Sequence, residues 1–583
     1  MNAGAMGRTG PQGRNQRGRP RRVGIVIGLS ALAGVIACTL LVAFGAEAVV
    51  SRASCTDHPV VVDLAASPDI APAASHVAKF FNAEHNAVQG HCAVVHVTSV
   101  QSSAAATEIS GNKSAASPAF DAWIPDSSLW VNVARSFPQG AQLVQPTSLT
   151  VARSPLMIVM PRSVAAEVPA YGSSVGWQFL LPQRVGGPAT GLGLHVEFPD
   201  PARSTAGLAT LIQLQSLLGS GSSALAAFTD FVLNVQVTSG TGSLTSLTSL
   251  AQRAGDERAV TIASEQSIAQ FDRAHPAADA LAGRYPVQGT PELNYPYVLT
   301  ATSQLERQAG QEFEKALKSS YATSYVQYLG FRSAAGTAPG WIGQYGLDTA
   351  QPKLTAAAAP GQAETSLQAW QKLSLGSRDL VLLDVSEQMA TPVSPTGTTL
   401  EQVLIQAASL GLTHFPDSTQ MGIWAFASHL DGNLPYKQLV PVGPLPAPLG
   451  LITRRQQITQ ATEQGKPVAD APAALYSSIL AAFKSLSASY QPRYVNAVLV
   501  LTAGIDNAKG DMSSTALVRQ LRALYNPNKR VEIVPLMFGT AGNFAALQQV
   551  ARATGGVAFD ITSPKQVNSA FFSGIAQRLS VPG

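Results

Sequence analysis

Asp379-Leu380-Val381-Leu382-Leu383-Asp384-Val385-Ser386-Glu387-Gln388-Met389 decides the fold of the C-terminal third, with Val498-Leu499-Val500-Leu501-Thr502-Ala503-Gly504 as its counterpart. Each is a short apolar run that stops at small polar residues. Strands buried on both faces read this way, and the polar stop marks a functional C-terminal edge. Outward from these runs the pattern alternates. It predicts strand 380–384, helix 398–410, strand 421–427, a Pro-rich excursion through 441–449, helix 473–488, strand 496–502 and helix 513–525. Strand 531–537, helix 542–554, a short strand 557–559 and a closing helix 565–579 complete it. Alternating β and α units predict a doubly wound, Rossmann-like α/β domain over 371–583.

The two runs resemble the von Willebrand factor type A (VWA) family, whose first strand ends in Asp-x-Ser-x-Ser and a later one in Leu-Thr-Asp-Gly. Phe538-Gly539 and Ala553-Thr554-Gly555-Gly556 are similar to that family too. The resemblance implies a Mg²⁺ site that a partner's carboxylate completes, with Asp384 and Ser386 as its remaining ligands. Here the pattern is damaged. Gln388 occupies the second serine position, Ala503 the acidic one, and Ala473, in Ala471-Pro472-Ala473-Ala474-Leu475-Tyr476, the threonine position. Mg²⁺ takes six oxygen ligands. One carboxylate and one hydroxyl are a poor start, so the expectation is an empty or weak site and a domain that serves as a scaffold.

At 583 residues the chain has room for two to four domains. Charged residues make up only 13%, and the formal charge is +4. Residues 1–22 hold Arg8, Arg14, Arg17, Arg19, Arg21 and Arg22 without an acid, so the remainder is two units negative. That leaves no basic face for nucleic acid, and no phosphate loop or zinc-finger spacing appears.

The basic tail precedes Val23–Gly45, an uncharged run long enough, at ~34 Å as a helix, for the hydrocarbon core. Arginines before it and almost none after it place the N-terminus inside. The reading is a single-pass anchor over 23–49 that tethers an extracytoplasmic chain to the cell membrane, with a basic tail over 1–22. Two alternatives stay open: a cleaved signal peptide, and a lipoprotein, because Val35-Ile36-Ala37-Cys38 fits a loose lipobox. In each case residues 50–583 lie outside the cytoplasm. Cys55 and Cys92 are then the only cysteines of the exported part. Both flank strand-like runs, and an oxidising compartment favours a disulfide between them.

Residues 55–335 alternate short strands with helical stretches. Strands are expected at 60–65, 93–97, 119–124, 156–160, 194–198, 260–263 and 298–301. A first helix follows Ser67-Pro68-Asp69, with Ser67 as cap and Ile70, Val77, Phe80 and Phe81 buried. A helix over 304–321 and Leu329-Gly330-Phe331-Arg332 close the unit. Residues 336–370, centred on Ala356-Ala357-Ala358-Ala359-Pro360-Gly361, read as a linker, and Ser239–Leu250 as a biased loop.

This half resembles the type II periplasmic solute-binding proteins, closest to molybdate and sulfate binders. The likeness rests on Ala65–Ile70, Trp123–Trp130, Ser154–Met160, Asp200–Gly207 and Tyr285–Thr290. It implies two lobes joined by crossing strands, placed near 150–157 and 262–268, and a ligand in the cleft between them. The candidate contacts are Ser67, Ser128, Ser154, Ser204 and Thr205, at strand ends and helix starts where free N–H groups face an anion. A plain helix-capping role is the competing reading for each. Asp126 and Glu265 are further candidates, and two acids in the cleft argue against an anion.

Catalysis has little support: no Gly-x-Ser-x-Gly elbow occurs, and Ser386 has no base beside it. His91-Cys92 with His96 suggests a metal only where Cys92 is free. In this order the two resemblances match actinobacterial proteins that join a substrate-binding domain to a VWA domain. The expectation is a non-catalytic envelope protein that engages a protein partner. The alternative is a receptor for a small oxyanion-like solute.

Overall fold

The computed structural model describes residues 55–111, 120–168, 175–181, 194–238, 243–254, 258–276, 281–393, 397–413, 415–563 and 566. The basic tail, the apolar segment 23–49 and all but one residue of the closing helix 565–579 lie outside them. Among the described residues no helix is long and apolar enough to cross a membrane.

Among the described residues, twelve strands build the first half. They are β1 (Thr56–Ala66), β2 (Ala87–Val88), β3 (His91–Ser99), β4 (Ala122–Ile124), β5 (Gln145–Thr150), β6 (Ser154–Pro161), β7 (His195–Pro199), β8 (Gln236–Thr238), β9 (Ala259–Ser264), β10 (Leu281–Arg284), β11 (Glu292–Leu293) and β12 (Pro296–Leu299). They form two sheets. The first runs β2-β3-β1-β4-β12-β5, and the second runs β10-β6-β9-β7-β8 with β11 on β6. β1 pairs in parallel with β3 and β4, whereas β12 runs antiparallel to β4 and β5. The chain leaves the first sheet between Thr150 and Ser154, as the sequence predicts. It returns between Leu293 and Pro296. The expected second crossing, 262–268, instead stays in the second lobe as the end of β9 and the start of helix Glu265–Ala274.

Other local expectations shift for identifiable reasons. Helix Ala71–Ala83 buries Val77 and Phe81, but Phe80 is 51% exposed and leans on Tyr321. The predicted helix 304–321 breaks at Lys318, because the Ser319 side chain caps a new helix, Ser320–Tyr328. Part of the stretch read as a biased loop forms helix Ser243–Arg253. Its leucines at 244, 247 and 250 recur at helical spacing, and Leu247 and Leu250 are buried.

The second half holds β13 (Gly376–Asp384), β14 (Gln420–Asp431), β15 (Leu434–Pro444), a small hairpin of β16 (Pro448–Leu449) and β17 (Ile452–Thr453), β18 (Tyr494–Thr502), β19 (Val531–Phe538) and β20 (Phe559–Ile561). The sheet order is β15-β14-β13-β18-β19-β20. All neighbours are parallel except β15, which folds back on β14. β13 is buried from Ser377 to Asp384 because it sits mid-sheet between two helix layers, as its unbroken apolar run requires. The Pro-rich excursion begins inside β15, which runs on to Pro444. Pro441 and Pro444 are tolerated there because an edge strand leaves one side of its backbone unpaired.

Residues 336–370 differ most from their linker reading. Leu354 bridges to Thr290, Gly340–Tyr345 forms a 3₁₀ turn, and Gln362–Leu373 is a helix. Ala363, Ala369, Trp370 and Leu373 belong to the same apolar core as both lobes. The helix packs on Ser128–Arg135 of the first lobe and on Thr205–Leu218 of the second, so it straps the two together.

Candidate functional site

The C-terminal edge of β13 and β18 carries the Asp384 cluster. Asp384 Oδ1 accepts from the Ser386 N–H at 3.0 Å and the Ser386 hydroxyl at 2.6 Å. Its Oδ2 accepts from the Thr502 hydroxyl at 2.8 Å and the Ala503 N–H at 3.2 Å. Burial raises the carboxyl's pKa, and these four bonds oppose that rise. Both oxygens are thus committed within the chain. Ala473 and Ala503 are buried methyl positions, and Gln388 Oε1 is buried without a hydrogen-bond partner. This donor set does not fit Mg²⁺, which needs oxygens free to turn toward it.

The rim above is closed by the loop after β18. Asp506 Oδ1 accepts from Leu475 N at 2.9 Å, Asn507 Oδ1 from Ala473 N at 2.8 Å, and Asp511 Oδ2 from Ser477 N at 3.4 Å. These bonds satisfy free N–H groups at the start of helix Leu475–Ala488, where negative charge is favoured. Burial and neighbouring Asp511 push Asp506 up to about 7. The sequence reading missed these residues. Their only local signal is two acids and an asparagine within nine positions of a strand end.

The second candidate lies between the lobes. Asp69 follows β1 and takes hydrogen bonds from the Ser67 hydroxyl, at 2.6 Å, and from the Tyr295 hydroxyl. Asp126 follows β4, its backbone N–H donating to Ser102 Oγ at 3.0 Å. The carboxyl of Asp126 is pushed up to about 7 by burial and by the charge of Asp69, against hydrogen bonds from Thr205 and Ser102. Its Oδ1 is buried with no partner. Across the cleft Thr205 Oγ1 accepts from Trp130 Nε1 at 2.6 Å, a direct link between lobes.

The five predicted contacts do not form one ring of hydroxyls. Ser67 serves Asp69, and the helix it was expected to cap starts later, after Ile70 without a side-chain cap. Ser127, not Ser128, caps helix Ser128–Arg135, and Ser128 pairs with Asn294 instead. Ser154 is fully buried and accepts from Gln266 N at 3.0 Å. Ser204 caps helix Thr205–Leu218. Only Ser67 and Thr205 border the Asp69–Asp126 pair. Glu265 is not open to a ligand, since Arg332 pairs with it at 2.8 Å with both side chains buried, and Tyr285 donates to it. Arg332 also donates to the carbonyls of Gly336 and Asp348 and so pins the strap to the second lobe.

Cys55 and Cys92 are joined by a disulfide at the starts of β1 and β3. His85 is the imidazole beside them. His91 instead places Nδ1 3.1 Å from the carbonyl of His58, and His96 lies 3.8 Å from Asp63.

No family model matches the chain. It is 24% identical over 575 residues to an uncharacterized protein of Mycobacterium tuberculosis, found in two strains, covering 92% of this chain and 80% of that relative. Among solved structures it is similar to the sulfate-binding protein SubI of M. tuberculosis (19% identity, TM-score 0.35, 49% of this chain and 91% of that one). It is also similar to a periplasmic thiamin binding protein (15%, TM-score 0.40, 55% and 98%). A von Willebrand factor type A protein from Catenulispora acidiphila matches at 13%, with a TM-score of 0.27 over 35% of this chain and 43% of that one. At such scores the likenesses carry no argument, and the strand orders above give a two-sheet, two-lobed α/β unit followed by a second, mostly parallel α/β unit.

Proposed function

We propose that this chain is a non-catalytic, extracytoplasmic binding protein whose two-lobed domain takes a small cationic solute between its lobes. The observation that carries the reading is the buried, unpartnered Oδ1 of Asp126 beside a second carboxylate, Asp69. A buried carboxyl oxygen without a partner is costly, and an ammonium group supplies the missing hydrogen together with the positive charge that lets Asp126 ionise. A second acid, Asp69, beside the buried Asp126 is the reverse of what a sulfate-like anion needs.

The test is a thermal-shift series on the full chain with putrescine, choline and arginine against sulfate, molybdate and phosphate. A ligand at 100 times its Kd stabilises by about 2.7 kcal/mol. Stabilisation by cations, abolished in Asp126→Asn, is the expected outcome; stabilisation by oxyanions alone would overturn the reading.

A second reading is favoured by the strap. A helix that packs on both lobes, with the Trp130–Thr205 link, suits a domain that stays shut and presents a fixed surface to an envelope protein. On this reading partner capture from the producing cell survives EDTA, because the Asp384 cluster does not depend on a metal. Loss of capture on chelation would refute it.

A further inference from the structure

Three ligating side chains meet at one end of the first sheet. The sulfurs of Cys55 and Cys92 and a ring nitrogen of His85 all lie within 4.8 Å of one another. His85 occupies the turn between helix Ala71–Ala83 and β2, with a left-handed backbone at φ 50°, and its ring is exposed. Both cysteines are partly exposed. His91, adjacent to Cys92, points to the other face of β3, since successive strand residues alternate. His85 therefore reaches the sulfurs from a different element.

We propose that this corner is a redox-gated metal site: oxidised, it is a disulfide; reduced, it holds one Zn²⁺ on two thiolates and one imidazole. A dithiol reductant donates two electrons and two protons to the S–S bond, becoming a disulfide itself and leaving two thiols. Zn²⁺ then displaces both thiol protons to solution as two Zn–S bonds form. Zn–S bonds of about 2.3 Å and Zn–N bonds of about 2.0 Å put tetrahedral ligand atoms roughly 3.5–3.8 Å apart, which small side-chain rotations reach from the observed spacing. The backbones are held independently of the disulfide, by the pairing of β1 with β3 and of Ala87 with Cys92. Two cysteines and one histidine leave the fourth position open to water, the arrangement of zinc sites that retain an exchangeable ligand.

The experiment uses the full chain reduced anaerobically with a phosphine and titrated with Co²⁺ as a spectroscopic probe. Expected are one Co²⁺ per chain with a thiolate-to-metal charge-transfer band, displacement by Zn²⁺, and no band in the oxidised protein. His85→Ala should weaken binding by roughly 100-fold, the upper range seen for even outer-shell partners of metal ligands. Its oxidised form should keep native circular dichroism, which separates ligand loss from misfolding. A reduced chain without the thiolate band, or His85→Ala binding as tightly as the native chain, would overturn the proposal.

Discussion

Asp384 is a structural hub, because four in-chain donors engage both of its carboxylate oxygens. Asp384→Ala leaves those donors buried without an acceptor and should cost on the order of 3 kcal/mol, read by denaturant unfolding. EDTA should leave the native chain's melting temperature unchanged, and a chelator-induced drop would contradict the hub. Asp126 makes a pH prediction. Folded, it keeps its proton up to about pH 7, whereas unfolded it releases it near pH 4. The folded state binds the extra proton between these values, so stability falls as pH rises from about 4 to about 7. Melting curves of native and Asp126→Asn chains should coincide at low pH and separate toward pH 7, the variant being the more stable. Parallel curves would show that Asp126 is ionised throughout. Gln388, Ala473 and Ala503 were legible in the sequence as departures from a metal pattern. That the Thr502 hydroxyl and the Ala503 N–H both bond Asp384 was not, because those partners lie 118 and 119 residues from it in the chain.

The strap is the element where composition misleads. Residues 356–361 are alanine, proline and glycine, which reads as tether, yet the next twelve form a helix with Trp370 buried and packed against Phe198. Ser366 donates to Gln215 at 2.6 Å and fixes the helix register on the second lobe. A protease site inserted at Ala356–Ala359 and cut in the folded protein should leave the two pieces associated on gel filtration. Trp370→Ala, which should cost about 3–5 kcal/mol, should release them. Separation of the cut native chain would restore the simple linker.

For the whole molecule, the apolar contacts among the described residues form one cluster that joins both lobes to the strap, a second within residues 157–347, and separate clusters on the two faces of the β13–β20 sheet. Calorimetry should therefore resolve two transitions. Breaking the buried Arg332–Glu265 pair with Arg332→Ala should cost about 3–5 kcal/mol and lower only the transition of residues 55–373. A shift of both would mean that the two halves unfold as one unit. The sequence by itself determined the α/β alternation, the buried strands at 380–384 and 496–502 and the pairing of Cys55 with Cys92, because periodicity, turn residues and cysteine count are local signals. Only the tertiary structure decided which polar groups meet. It gathered Asp69, Asp126, Thr205 and Tyr295 at one cleft, removed Glu265 from it with Arg332, and set His85 beside the disulfide. Those choices depend on which strand ends the sheets bring side by side, and distance along the chain carries no record of that.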